Sequence, residues 1–270
     1  VPRLLVAPSL TEALAALAAD PAARPIAGGV GVMLGRALGL PVAAAYVGIG
    51  TLPELRIRSM DGGAALLGAA VTLEALADPG ETVVPPLLRA AAVAAANPGI
   101  RATATLGGNV VSGGPASDLV AALVALGAEA RLQKPGGERW LPVEHLVAAP
   151  AAAAGGIVTA FRVPHGAGWG FERVTVRGAM DRSAATVAVS RGPAPRVAAT
   201  YVAESVVRFP DVERRLGAGD TDSGRLHAAA VDDLATVALI PDDRVSGAWR
   251  ARVLPVLIAR AAQAALGHRS

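Results

Sequence analysis

Apolar residues recur along the chain at two spacings, and each change of spacing marks an element. Behind the capping box Ser9-Leu10-Thr11-Glu12, the residues Leu10, Leu14 and Leu17 share one face of a 3.6-residue period up to Asp20-Pro21, which predicts a helix. A short apolar segment through Ile26 predicts a strand that runs into glycines at 28, 29 and 31. Segment 43–47 predicts another strand, ahead of a second capping box, Thr51-Leu52-Pro53-Glu54. Segments 55–59 and 64–68 read as a hairpin around Asp61-Gly62-Gly63, and 85–96 as a helix ending at Asn97-Pro98-Gly99. A strand-like segment at 105–110 leads into a second glycine pair, followed by a helix at 117–126. A second hairpin joins 128–133 to 139–141 across Pro135-Gly136-Gly137. The alanines at 149–154 carry no period and predict a surface loop, after which 157–163 is a strand.

Beyond His165-Gly166-Ala167-Gly168 the order of elements changes. Strand-length runs at 170–176, 184–190 and 195–203 are followed by three helical segments, 211–216, 223–239 and 246–266. Strands first and helices after is the order of an α+β fold, with a boundary between a first domain at 1–165 and a second at 169–270.

Composition narrows the function. The 270 residues are 53% hydrophobic but only 3% aromatic, so alanine and valine fill the core. No apolar run reaches the roughly 20 residues of a membrane span, and the expectation is a cytoplasmic protein. The absence of cysteine excludes disulfides, thiolate catalysis and a self-ligated iron–sulfur cluster. The sequence pI is about 10.1, yet the net charge is only +3. Lys134 is the one lysine, and the arginines are scattered beside acids, which is no footprint for nucleic acid.

Two glycine clusters are the candidates for chemistry. Ile26-Ala27-Gly28-Gly29-Val30-Gly31-Val32-Met33 is a strand, a turn and a helix start, where free backbone N–H groups suit phosphate oxygens. The same pattern is also that of an ordinary strand–helix turn. It lacks the Gly-Lys-Ser/Thr of a Walker A loop and the third glycine of a Rossmann loop. The second cluster runs from Ile100-Arg101 through Thr105-Leu106-Gly107-Gly108-Asn109-Val110-Val111 to Ser117-Asp118. Thr105 and Asn109 offer hydrogen bonds; Ser117 and Asp118 fit either a helix cap or a cofactor contact. His145, His165, His227 and His268 show no ligand spacing, so no metal site is expected. Trp140, Trp169 and Trp249 read as packing residues.

Taken together and in this order, the two clusters resemble the FAD-binding subunit or domain of the molybdenum hydroxylases. The likeness extends from Pro8-Ser9-Leu10-Thr11-Glu12 through Leu67-Gly68-Ala69-Ala70-Val71-Thr72 to Phe171-Glu172-Arg173, Arg177 and Asp181, and to Asp243-Arg244-Val245-Ser246 ahead of Trp249-Arg250. It implies a two-lobed FAD-binding domain, its lobes meeting near residues 50–56, followed by a smaller C-terminal domain with a three-stranded antiparallel sheet and helices. It further implies that the FAD pyrophosphate lies on residues 26–33 and on Thr105, Gly107, Gly108 and Asn109. Val111, Ser117, Asp118 and Val158 would line the cofactor, and Arg173 stands where the family commonly has a lysine. Val30-Gly31 departs from the family's Thr followed by Ser or Asp, which removes side-chain contacts and leaves backbone donors.

By the same resemblance the chain is an electron-transfer flavoprotein. It would accept electrons from the [2Fe-2S] clusters of a small partner subunit and pass them to an external acceptor. The molybdopterin would sit in a large partner subunit. FAD would be non-covalent, since the chain has no cysteine and no histidine near either glycine cluster. Two other readings stay open on the residues alone: a stand-alone FAD-dependent oxidoreductase, and a scaffold subunit that has lost FAD.

Overall fold

A computed structural model describes residues 2–178, 181–192 and 194–267, so His268 lies outside the described residues. The first lobe comprises β1 (Arg3–Val6), α1 (Leu10–Ala19), β2 (Arg24–Ile26), α2 (Val30–Ala37) and β3 (Ala45–Gly48). Its three strands are parallel, in the order β1-β3-β2. Ser9 caps α1 by accepting the Glu12 N–H, and Ala13, Leu14 and Leu17 pack on Ala45, Val47 and Ile49. The second capping box does not form. Pro53–Leu55 is a single 3-10 turn entered from Leu52, too short for Thr51 to cap, and Glu54 instead accepts the Leu10 N–H at 3.3 Å.

The second lobe holds β4 (Arg58–Asp61), β5 (Ala64–Gly68), α3 (Leu73–Ala77), α4 (Pro86–Ala94), α5 (Pro98–Arg101), α6 (Leu106–Gly108) and α7 (Asp118–Ala125). It continues with β6 (Glu129–Lys134), β7 (Gly137–Pro142), α8 (Val143–Ala148) and β8 (Ile157–Pro164). The strands form one antiparallel sheet in the order β4-β5-β8-β6-β7. The first hairpin turns on Gly62 and Gly63, both at positive φ, as a two-residue turn between twisted strands requires. Leu87, Leu88, Ala91 and every residue of α7 after Asp118 pack into the core between sheet and helices.

Three sequence expectations change here. Asn97 does not only stop a helix: its side chain accepts the Ile100 N–H and starts α5, with Pro98 in the first turn. Segment 105–110 is not a strand. Thr105 makes an isolated bridge to Thr72, then accepts the Gly108 N–H as the cap of α6, and a π turn at Asn109–Gly113 follows. The alanines at 149–154 contain a 3-10 turn, Pro150–Ala153.

The third lobe has β9 (Gly168–Thr175), β10 (Ser183–Arg191), β11 (Arg196–Thr200) and β12 (Val207–Arg208), then α9 (Pro210–Gly217), α10 (Ser223–Leu234) and α11 (Gly247–Gly267). The three expected strands are joined by the two-residue β12, giving an antiparallel sheet in the order β12-β11-β10-β9. Residues Ser183 to Ser190 of β10 are all buried, because the strand lies between α7 of the second lobe and α11 of its own. A Cβ on Gly170 would stand 1.8 Å from the Ala261 carbonyl oxygen, so glycine is what lets β9 meet α11.

A charged cluster anchors the start of β10. Arg250, 1% exposed, donates to the carbonyls of Ala184 and Ile240 and to Asp242. Arg244 donates to the carbonyls of Arg182 and Ser183, at 2.6 and 2.8 Å. Burial alone would raise the Asp242 carboxyl. Donation from the Val245 and Arg244 N–H groups and from both guanidiniums outweighs that and holds it well below the usual carboxylate range.

Candidate functional site

The first glycine loop connects β2 to α2 by a sharp change of backbone. Gly29 has φ 71°, the left-handed region that glycine enters without a steric cost. Gly28 is needed for a different reason: a Cβ there would lie 1.9 Å from the Thr103 carbonyl oxygen. The two glycine loops therefore touch through Gly28. The first backbone bond of α2 runs from the Met33 N–H to the Gly29 carbonyl, so the N–H groups of Val30, Gly31 and Val32 are the unpaired donors of its first turn. The positive end of the helix dipole adds to them.

The second loop is stitched to the segment that follows β5. Gly107 and Leu106 donate to the carbonyls of Ala69 and Val71, and Leu73 donates to Ala104. A Cβ on Gly107 would stand 2.7 Å from that of Ala69. Past the π turn, Ser117 caps α7 by accepting the Val120 N–H and donates to the Asn109 side-chain oxygen. With Ser117 as the cap, the Asp118 carboxylate is left for other partners. It accepts from Ser183 at 2.6 Å and from Thr186, with the Arg173 Nε 3.7 Å away. Arg173 also donates to Ser183 Oγ at 2.6 Å and to the Asp181 carbonyl. The third lobe thus reaches the second loop through a polar cluster around Asp118, and Thr200 Oγ1 donates to the Ser117 carbonyl at 2.9 Å beside it.

Two adjoining cavities, of about 330 and 440 Å³, are lined by residues of both loops and share Pro25, Ala27, Thr105, Gly108 and Ser112 in their walls. Both volumes lie in the range of small-molecule sites. The smaller is lined by Gly107, Val111 and Val158, and closed by the alanines and glycines at 153–156. The larger is lined by Ile26, Gly28, Gly29, Val30, Gly31, Val32, Asn109, Asp118 and Arg173. Two of the residues singled out in the sequence line neither cavity. Met33 is exposed on the outer side of α2, and Ser117 is buried beneath Asn109.

Tyr201, Arg182 and Ser112 line the larger cavity and were not found from the sequence. Tyr201 carries φ 67°, and its N–H donates to the Pro115 carbonyl at 2.7 Å. Burial, then the nearby Asp118 carboxylate, pushes its phenol well above the usual tyrosine range. Only its rarity could have flagged it, since the chain has two tyrosines.

The family described as the FAD binding domain in molybdopterin dehydrogenase matches residues 3–166. The nicotine 6-hydroxylase medium subunit of Paenarthrobacter nicotinovorans is 27% identical over 263 residues, covering 93% of each chain. The putative xanthine dehydrogenase FAD-binding subunit of Escherichia coli is 31% identical over 186 residues, 66% of this chain and 64% of that one. Among solved structures, carbon monoxide dehydrogenase from Hydrogenophaga pseudoflava superimposes with a TM-score of 0.91 at 26% identity, over 100% of this chain and 98% of that one. The chain belongs to the FAD-binding domain family of the molybdopterin dehydrogenases.

Proposed function

We propose that this chain holds FAD across the two adjoining cavities and serves as the electron-transfer flavin subunit of a multi-subunit molybdenum hydroxylase. The observation that carries the reading is the meeting of the two glycine loops in the wall shared by the two cavities, within the residues that match the family. The residues fit such a cofactor. Three unpaired N–H groups at the start of α2 suit a pyrophosphate, and the Thr105 and Asn109 side chains stand on the facing loop. Val111 and Val158 offer apolar surface to a flat ring, while Asp118 accepts hydrogen bonds and Arg173 adds a positive charge. Arg173 keeps the charge of the family's lysine, but its guanidinium is directed by Ser183 and Asp181, which fixes it in place.

When bound, FAD supplies the redox chemistry, taking electrons from one partner and giving them to another. The protein's part is to orient the ring, exclude water from it and set the charge around it. With no cysteine in the chain, the electrons come from the [2Fe-2S] clusters of a small subunit, and a large subunit carries the molybdopterin. The external acceptor completes the path. FAD is held non-covalently, since none of the described histidines lines either cavity. Affinity purification from the native host is expected to recover the chain with an iron–sulfur and a molybdopterin subunit, and acid precipitation to leave all flavin in the supernatant. A chain that elutes alone and turns over a substrate by itself would establish the stand-alone oxidoreductase instead.

A further inference from the structure

The first turn of α2 has no side-chain donor of its own where it meets the cavities, because Val30 is apolar and position 31 is glycine. Val30 is partly buried against the core of the second lobe, which accounts for its apolar character. The space beside Gly31 is not empty. A Cβ there would lie 3.0 Å from Ser112 Cβ and 3.1 Å from Ser112 Oγ. Ser112 belongs to the π turn after the second glycine pair, a widened turn of the kind often found at functional sites. It is the residue of that turn that lines both cavities, and its hydroxyl has no protein partner among the described residues.

We propose that Ser112, reaching across from the second loop into the space left by Gly31, donates the side-chain hydrogen bond to the FAD pyrophosphate that the first loop does not provide. The inference rests on FAD binding as proposed above. The chemistry is that of a hydroxyl beside three convergent N–H donors. An anion drawn to those donors lies within reach of the hydroxyl, and a bond to a charged acceptor is stronger than one to a neutral group. The pair also has a steric logic: one side chain fits between α2 and the π turn, and here it comes from position 112.

The test is titration of the apoprotein with FAD, and separately with ADP as a probe that carries the pyrophosphate without the flavin. Ser112→Ala is expected to weaken both ligands by about tenfold, with the thermal melting of the apoprotein unchanged because Ser112 is exposed. Ser112→Thr keeps the hydroxyl and is expected to stay within about threefold of the parent. Gly31→Ser should crowd Ser112 and weaken FAD, and combining it with Ser112→Gly should restore most of the affinity by moving the hydroxyl to the other side of the gap. A parent that binds FAD while Ser112→Ala binds FAD and ADP equally well overturns the role of Ser112 alone. Loss of FAD affinity with unchanged ADP affinity also overturns it, since the contact would then be to the flavin half. A parent that binds neither ligand overturns the FAD reading itself.

Discussion

The two glycine loops face each other across the same cavities, yet they are built on opposite principles. The first is held mostly by backbone. None of the residues of α2 is buried, Met33 and Leu34 are about 60% exposed, and the loop meets the second one where it has glycines, Gly28 against Thr103 and Gly31 against Ser112. The second is held by side chains and by its neighbours. Thr105 and Ser117 cap helices, the 69–73 segment pairs with it on one side, and Ser183, Thr186 and Arg173 fix Asp118 on the other. A loop that contributes only N–H donors needs glycines for close approach and little else. A loop that presents a carboxylate and hydroxyls needs a rigid shell around them, and the third lobe supplies it.

The largest effect is expected where the loops touch. Gly28→Ala places a methyl group against the Thr103 carbonyl, and the first loop must move away. Overpacking of about 3 kcal/mol corresponds to about a hundredfold loss of FAD affinity, measured by titration of the apoprotein. Affinity within a few-fold of the parent would mean that the loops do not depend on this contact.

Asp118→Ala comes next and acts on the other side of the comparison. It leaves the hydroxyls of Ser183 and Thr186 without their acceptor in a buried place and removes the carboxylate beside the Arg173 guanidinium. The apoprotein is expected to lose about 2 kcal/mol of stability to denaturant, before any cofactor is added. An apoprotein of parental stability would show that the second loop is no more braced than the first.

Gly29→Ala separates backbone strain from crowding. The nearest atom to a new Cβ is Ile26 Cδ1 at 3.6 Å, an ordinary contact, so the penalty comes from φ 71° alone. A cost of about 1–2 kcal/mol is expected, smaller than that of Gly28→Ala at the adjacent position. The reverse order would place the steric contact in the wrong residue. Val30→Thr is the mildest change. It puts a hydroxyl where Val30 now packs on the second-lobe core, and FAD affinity is expected to shift by less than about tenfold in either direction.

This contrast also explains what the sequence disclosed and what it hid. Elements governed by neighbouring residues were legible. Ser9 caps α1, Gly62-Gly63 turns the first hairpin, and β9, β10 and β11 of the third lobe fall on its apolar runs, whereas the two-residue β12 does not. The first loop was legible as well, since backbone donors and glycines lie within eight consecutive residues. The second was legible in position but not in shape. Thr105 and the valines at 110 and 111 have β-forming side chains, yet pairing with residues 69–73 bends the segment into a capped turn. Partners distant in sequence were invisible. Nothing near Asp118 announces Ser183 or Thr186, 65 and 68 residues away, and nothing near Gly31 announces Ser112.

The central claim is that FAD occupies the cleft between the two loops. Its most direct test is to titrate the purified apoprotein with FAD, following quenching of flavin fluorescence, beside the Gly28→Ala variant. Saturation at one FAD per chain in the parent, with binding lost or weakened about a hundredfold in the variant, is the expected result. No saturable binding in the parent, or equal binding by the two proteins, would contradict it.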